Sequence, residues 1–210
     1  MSDYERNPNI ITQLSFEAIR REVDIARLPE DMVSVALRMI HSCGMVDLLD
    51  DLVFSKNAGN IGRAALKAGA NILADVEMVA HGISKRSLTA GNKVICTLNQ
   101  DGVASQALEC GITRSSASVD LWRPSMEGAI VLIGNAPTAL FRLLEILHHN
   151  GPFPAIIIAA PPGFIGAVDA KDALISNHYK IPYIVLRGRR GGSALAAAAL
   201  NALAIREEAA

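Results

Sequence analysis

The sequence predicts a three-layer α/β fold: a mostly parallel sheet with helices on both faces and a helical extension at the N-terminus. Three observations carry this. After Gly69, short wholly apolar runs alternate with segments of helical period, the pattern of strands joined by crossover helices. Before about residue 67 the period is helical throughout. Half the residues are hydrophobic but only 4% are aromatic, the composition of Ala- and Leu-rich helices on Val- and Ile-rich strands buried on both sides. The 210 residues contain no linker, repeat or low-complexity stretch. Residues 1–210 are therefore read as a single domain, long enough to bury a sizeable core.

Along the chain, a first helix is expected over 15–27. The clearest helix spans 29–43. Pro29 suits a first turn, Glu30 and Asp31 complement the dipole there, and Met32, Val35, Ala36, Met39, Ile40 and Cys43 recur at helical spacing before Gly44 stops it. Helices over 47–54 and 60–68 follow. Strands are expected at 72–79, 93–98, 129–133, 155–160 and 183–186, each a short apolar run between helical segments. Helices are expected between them at 102–110, 115–122, 138–149, 169–177 and 193–204. Ligands of an open parallel sheet gather at the carboxyl ends of its strands. That places candidate contacts in 80–82, 134–138, 161–166 and 187–193.

Composition narrows the function. With 20 basic and 21 acidic residues the net charge is −1, which argues against a nucleic-acid or anionic-membrane partner. Cys43, Cys96 and Cys110 are odd in number and lack metal-ligand spacing, so no disulfide framework or metal site is expected. The polar start at 1–9 has no signal-peptide character, and the most apolar runs, 155–160 and 194–205, fall short of the ~20 residues of a membrane span. A soluble, cytoplasmic protein is expected. Neither G-x-G-x-x-G nor G-x-x-x-x-G-K-[ST] occurs, and no serine sits in a G-x-S-x-G elbow.

Several residues carry chemistry, each beside a plainer reading. Ser34, Arg38 and His41 share the helix face opposite the apolar stripe. On spacing alone a solvated polar face takes precedence over an acid–base His beside an anion-holding Arg. Thr113, Arg114, Ser115 and Ser116 form either a carboxylate grip or a helix cap with a surface Arg. The segment 134–138 is either a turn that lets substrate approach the backbone or an ordinary strand-to-helix turn. Arg187, Arg189 and Arg190 with their glycines form a loose anion cradle or loop punctuation. Asp75 and Glu77, at period 2 on an expected strand that His81 ends, form a catalytic cluster or a hydrogen-bonded structural set. His148 and His149 read as capping or surface residues.

In order along the chain stand Arg38-Met-Ile-His41-Ser-Cys-Gly44, Asp75-Val-Glu-Met-Val-Ala-His81-Gly82, Gly134-Asn-Ala-Pro-Thr-Ala-Leu-Phe141, Gly163-Phe-Ile-Gly-Ala167, Lys171-Asp-Ala-Leu174 and Arg187-Gly-Arg-Arg-Gly-Gly-Ser193. Together they closely resemble the precorrin-8X methylmutase (precorrin isomerase) family, from about Asn9 to about Ala204. Ile165 stands where many members carry Val. The resemblance implies a flavodoxin-like fold and a homodimer with the active site at or near the subunit interface. It implies an isomerase of cobalamin biosynthesis that moves the C-11 methyl of precorrin-8X to C-12, giving hydrogenobyrinic acid. Anaerobic-route relatives convert cobalt-precorrin-8 to cobyrinate.

The family's catalytic His falls on His41. Its substrate-contacting positions fall on Ser15 and Arg38, and an Arg near the macrocycle falls on Arg114; Thr113 joins them as a neighbouring hydroxyl. The partner implied is a tetrapyrrole, with no cofactor and no metal. The competing readings are a corrinoid-intermediate carrier that does no chemistry and an unrelated nucleotide- or flavin-using α/β enzyme.

Overall fold

The computed structural model describes residues 4–205. The single-domain assignment over 1–210 includes residues 1–3 and 206–210, which lie outside the described residues. In chain order the elements are α1 (Pro8–Glu22), α2 (Glu30–Cys43), α3 (Leu48–Asp51), β1 (Leu52–Phe54), α4 (Ala58–Lys67), β2 (Ile72–Ala74), α5 (Glu77–Gly82), β3 (Val94–Ile95), α6 (Val103–Cys110), α7 (Arg114–Asp120) and α8 (Arg123–Met126). They continue with β4 (Ile130–Ile133), α9 (Pro137–His148), β5 (Ile156–Ala159), α10 (Ala167–Ile175), β6 (Tyr183–Leu186) and α11 (Ser193–Ala204).

The six strands lie in the order β1-β6-β5-β4-β2-β3, all parallel except β1, which runs antiparallel along β6. Leaving β1 aside, the chain starts at β2, adds β3 on one side, then crosses to β4, β5 and β6 on the other. This is the doubly wound order with its switch point between β2 and β4. The central strands β2, β4 and β5 are buried on both faces. Ile72, Ile130, Leu132, Ile156 and Ile158 meet the layer of α2, α4, α5 and α11. Their neighbours Leu73, Val131, Ile133, Ile157 and Val185 meet the layer of α8, α9 and α10. The period-2 alternation divides each strand between two cores rather than between core and water, as a parallel sheet requires.

The expected N-terminal extension divides in two. α2 buries Met32, Val35, Ala36, Leu37, Met39 and Ile40 and packs on α11, so it belongs to a covering layer. α1 has no buried residue and rests on α2. α1 also starts earlier and stops sooner than the expected 15–27: Asn7 Oδ1 caps Asn9 N–H at 3.0 Å with Pro8 in the first turn, and Val23 is extended.

Three expectations are corrected. The 47–54 segment is helical only to Asp51, because Leu52, Val53 and Phe54 pair with the otherwise free edge of β6. The 72–79 strand ends at Ala74; the chain turns into α5, so Glu77 and His81 are helical neighbours four apart, not strand residues. The 93–98 strand shrinks to Val94 and Ile95 at the sheet edge. Among the described residues no helix is long and apolar enough to cross a membrane, and no His/Cys/Asp/Glu group is arranged to hold a metal.

Candidate active site

The switch point is where a fold of this order usually offers its anion site, and here it is filled from within. Asp75 follows β2 and has no exposed surface. Its Oδ1 accepts from Gly134 N–H at 3.1 Å and its Oδ2 from Asn135 and Ala136 N–H, both at 2.9 Å. The turn after β4 could have cradled a phosphate with these N–H groups; all three are spent on an internal carboxylate. Burial pushes the Asp75 carboxyl above the ordinary carboxylate range, with the three N–H donors opposing.

Gly134 is required by the same close packing. A Cβ there would lie 2.7 Å from Val79 Cγ2 and 2.9 Å from Ser193 Cα. The glycine lets α5 and α11 approach the turn, so the reading in which it admits substrate is replaced by an internal one. Asp75, Glu77 and His81 do not form a shared catalytic cluster. The His81 ring is largely solvent-exposed, with Nδ1 2.8 Å from Glu77 O and 3.6 Å from Glu77 Oε2. Cys96, half-buried nearby, has its thiol pushed up to about 11, chiefly by burial, which makes it a poor nucleophile.

The open chemistry lies in two places at the carboxyl edge of the sheet. The first is the end of α2. Leu52 is in register with Leu186 at the end of β6, and Asp47 and Asp51 hold Arg190 of the following loop at 2.9 and 3.0 Å. The segment just after α2 is thereby fixed at that edge. His41 is exposed there, in the last turn of α2. The ring of Phe16, from α1, lies 5.2 Å from the His41 ring and 5.6 Å beneath the Arg38 guanidinium. Ser15 adjoins Phe16, its hydroxyl donating to Ile11 O at 2.8 Å. Arg38 is half-buried, burial lowers its pKa, and among the described residues it has no acidic partner.

Ser15, Arg38 and His41 are thus gathered by the packing of α1 on α2, with Phe16 as the shared surface. Phe16 gave no signal beyond being one of five phenylalanines in an aromatic-poor chain.

The second place is on the other face of the sheet, where α7 meets α9. Thr113 caps α7 by accepting from Ser116 N–H at 3.1 Å, and its Oγ1 lies 2.7 Å from Thr138 Oγ1 in the first turn of α9. Arg114, the next residue, is exposed and without an acidic partner among the described residues. The cap expected of this segment is present, and Thr138, which the sequence placed only within the candidate 134–138 turn, is the hydroxyl that meets it. No hydrogen bond or ion pair among the described residues joins Thr113 or Arg114 to the His41 group.

The expected Arg cradle is mostly neutralised. Arg190 is paired as above and Arg187 lies 3.6 Å from Asp172, which leaves Arg189 without an acid among the described residues. Behind the loop, Lys171 is fully buried and donates to Arg190 O at 3.0 Å; burial lowers its pKa to about 8.

Known proteins are similar to this chain over most of its length. The precorrin-8X methylmutase family model matches residues 10–206. A precorrin-8X methylmutase of Pseudomonas aeruginosa is 52% identical over 99% of this chain and 100% of its own length. A cobalt-precorrin-8 methylmutase of Salmonella typhimurium is 40% identical over 81% of this chain and 79% of its own. The solved structure of a precorrin-8X methylmutase from Thermus thermophilus superposes with a TM-score of 0.85 at 35% identity, covering 93% of this chain and 94% of that one. A flavodoxin-like sheet, a family model that matches residues 10–206 and 52% identity to a methylmutase over nearly the whole chain lead to one conclusion: the chain belongs to the precorrin-8X methylmutase family, isomerases of cobalamin biosynthesis.

Proposed function

We propose that this chain moves the C-11 methyl of precorrin-8X to C-12, giving hydrogenobyrinic acid, with His41 as the acid–base residue. The observation that carries the assignment is the grouping at the end of α2. An exposed imidazole and an Arg with no acidic partner among the described residues are set against one aromatic ring at the ligand-binding edge of the sheet.

A 1,5 methyl shift on a conjugated macrocycle leaves composition and oxidation state unchanged. It needs a proton placed on a ring nitrogen, which makes the ring electron-poor enough for the methyl to migrate, and then that proton removed. Histidine exchanges protons in both directions near neutral pH. His41 gives the proton and takes it back, while Arg38 and the Ser15 hydroxyl orient the substrate and Phe16 supports the imidazole. Arg114 and the Thr113 hydroxyl take peripheral carboxylates. The cobalt-free substrate is preferred because the relative at 52% identity is named for it and the one at 40% for the cobalt form. The functional unit is a homodimer, in which the His41 and Arg114 groups complete a site at or near the subunit interface; light scattering should give twice the 22.3 kDa chain mass.

The test is single turnover of bound substrate. His41→Asn should slow isomerisation by about 10²–10⁴-fold while corrinoid binding persists, and His81→Ala should change little. Near-normal turnover in His41→Asn, or arrest in His81→Ala, would refute the assignment.

A further inference from the structure

The most exposed apolar side chains among the described residues are two neighbours on one turn. Phe164 is 87% exposed and Ile165 91%. Phe141 and Val168, each more than a third exposed, extend them into a patch rather than leaving single surface residues. The turn is anchored on both sides. Gly163 and Gly166 have φ of +152° and +72°, values that side-chain-bearing residues avoid. Gly163 N–H donates to Arg189 O at 3.1 Å, and Gly166 sits so close to the ring of Phe141 that a Cβ there would lie 3.2 Å away. A rigid base therefore presents two apolar side chains to water at the carboxyl end of β5.

Their surroundings suggest what they meet. The Arg189 guanidinium lies 5.4 Å over the Phe164 ring and has no acidic partner among the described residues. Pro137, against which the turn packs, precedes Thr138, the partner of Thr113. The feature is an apolar tip with a guanidinium and hydroxyls at its rim, continuous with the Arg114 side of the candidate site. An occupant matching that pattern has a broad apolar face and peripheral carboxylates.

We infer that Phe164 and Ile165 form an apolar wall against one face of the corrin-precursor macrocycle and fix its position, with Arg189 receiving one of its carboxylates. This rests on the substrate class proposed above and adds residues on which that proposal does not depend.

The probe is hydrogenobyrinic acid titrated by absorbance into the full chain. The double variant Phe164→Ala/Ile165→Ala should bind about 10- to 100-fold more weakly, Phe164→Leu should recover most of the affinity, and Arg189→Ala should weaken binding separately. Thermal midpoints should match the parent, since none of these side chains is buried. Unchanged affinity in the double variant overturns the inference, and so does a fall to the 22.3 kDa chain mass in light scattering, which would make the tip an interface between copies. If the parent neither binds the probe nor isomerises precorrin-8X, the proposed function itself has failed. If the parent does both and the double variant binds like it, only this inference has.

Discussion

Two neighbourhoods of this molecule contain groups suited to an anion, and they are treated in opposite ways. At the switch point between β2 and β4, three backbone N–H groups converge and are consumed by the buried Asp75 carboxylate. At the end of α2, Arg38 and His41 stand against Phe16 with no acid beside the guanidinium among the described residues. The first site is closed because charge and donors are balanced inside the protein. The second is open because they are not. In a fold that often binds phosphates at its switch point, an internal carboxylate there removes the phosphate site and leaves ligand recognition to the loops and helix ends around it.

The two sites should differ most in what they contribute to stability. Asp75→Ala leaves three N–H groups without an acceptor, those of Gly134 and Ala136 buried, and should cost about 3–5 kcal/mol in urea unfolding. His41→Ala, on an exposed face, should stay within about 0.5 kcal/mol of the parent. Equal costs for the two would erase the distinction between a closed and an open site.

Binding should show the reverse. Arg38→Ala and Arg114→Ala should each weaken product corrinoid by about 1–3 kcal/mol, and Arg38→Lys should restore only part because the planar fork is lost. Titration by absorbance measures this, and unchanged affinity in both Ala variants would reduce them to surface residues.

The smallest effect concerns Lys171, a cation held inside. Its pKa near 8, against an ordinary 10.5, means the unfolded chain holds a proton there that the folded chain has released between those values. The stability deficit is therefore fully present below about pH 8 and is relieved as pH rises toward 10.5. Relative to Lys171→Met, the parent should gain stability across that window. Parallel denaturation curves for the two at pH 7.5 and pH 10 read this, and a difference that does not change with pH would contradict it.

Periodicity along the chain was enough to determine a good deal. The runs at 129–133, 155–160 and 183–186 are short, rich in Ile and Val and apolar on successive residues, as strands buried on both faces are, and β4, β5 and β6 lie there. The 3.6-residue stripe of 29–43 marked both the buried face of α2 and the opposite face that carries Arg38 and His41.

What the tertiary structure alone decided involves partners far away in sequence. Leu52, Val53 and Phe54 form a strand because β6 offers an unpaired edge some 130 residues later. Asp75 is a structural acceptor because the turn at 134–136 aims three donors at it; beside Glu77 and His81 the sequence left a catalytic cluster and a hydrogen-bonded structural set both open, and could not name those donors. Phe16 joins Arg38 and His41, and Thr138 joins Thr113, only through helix packing. Hydrophobic period records which face a residue turns inward. It carries no information about which distant donor, ring or strand edge that face will meet, and at this site those meetings separate an internal hydrogen bond from a group left open to a ligand.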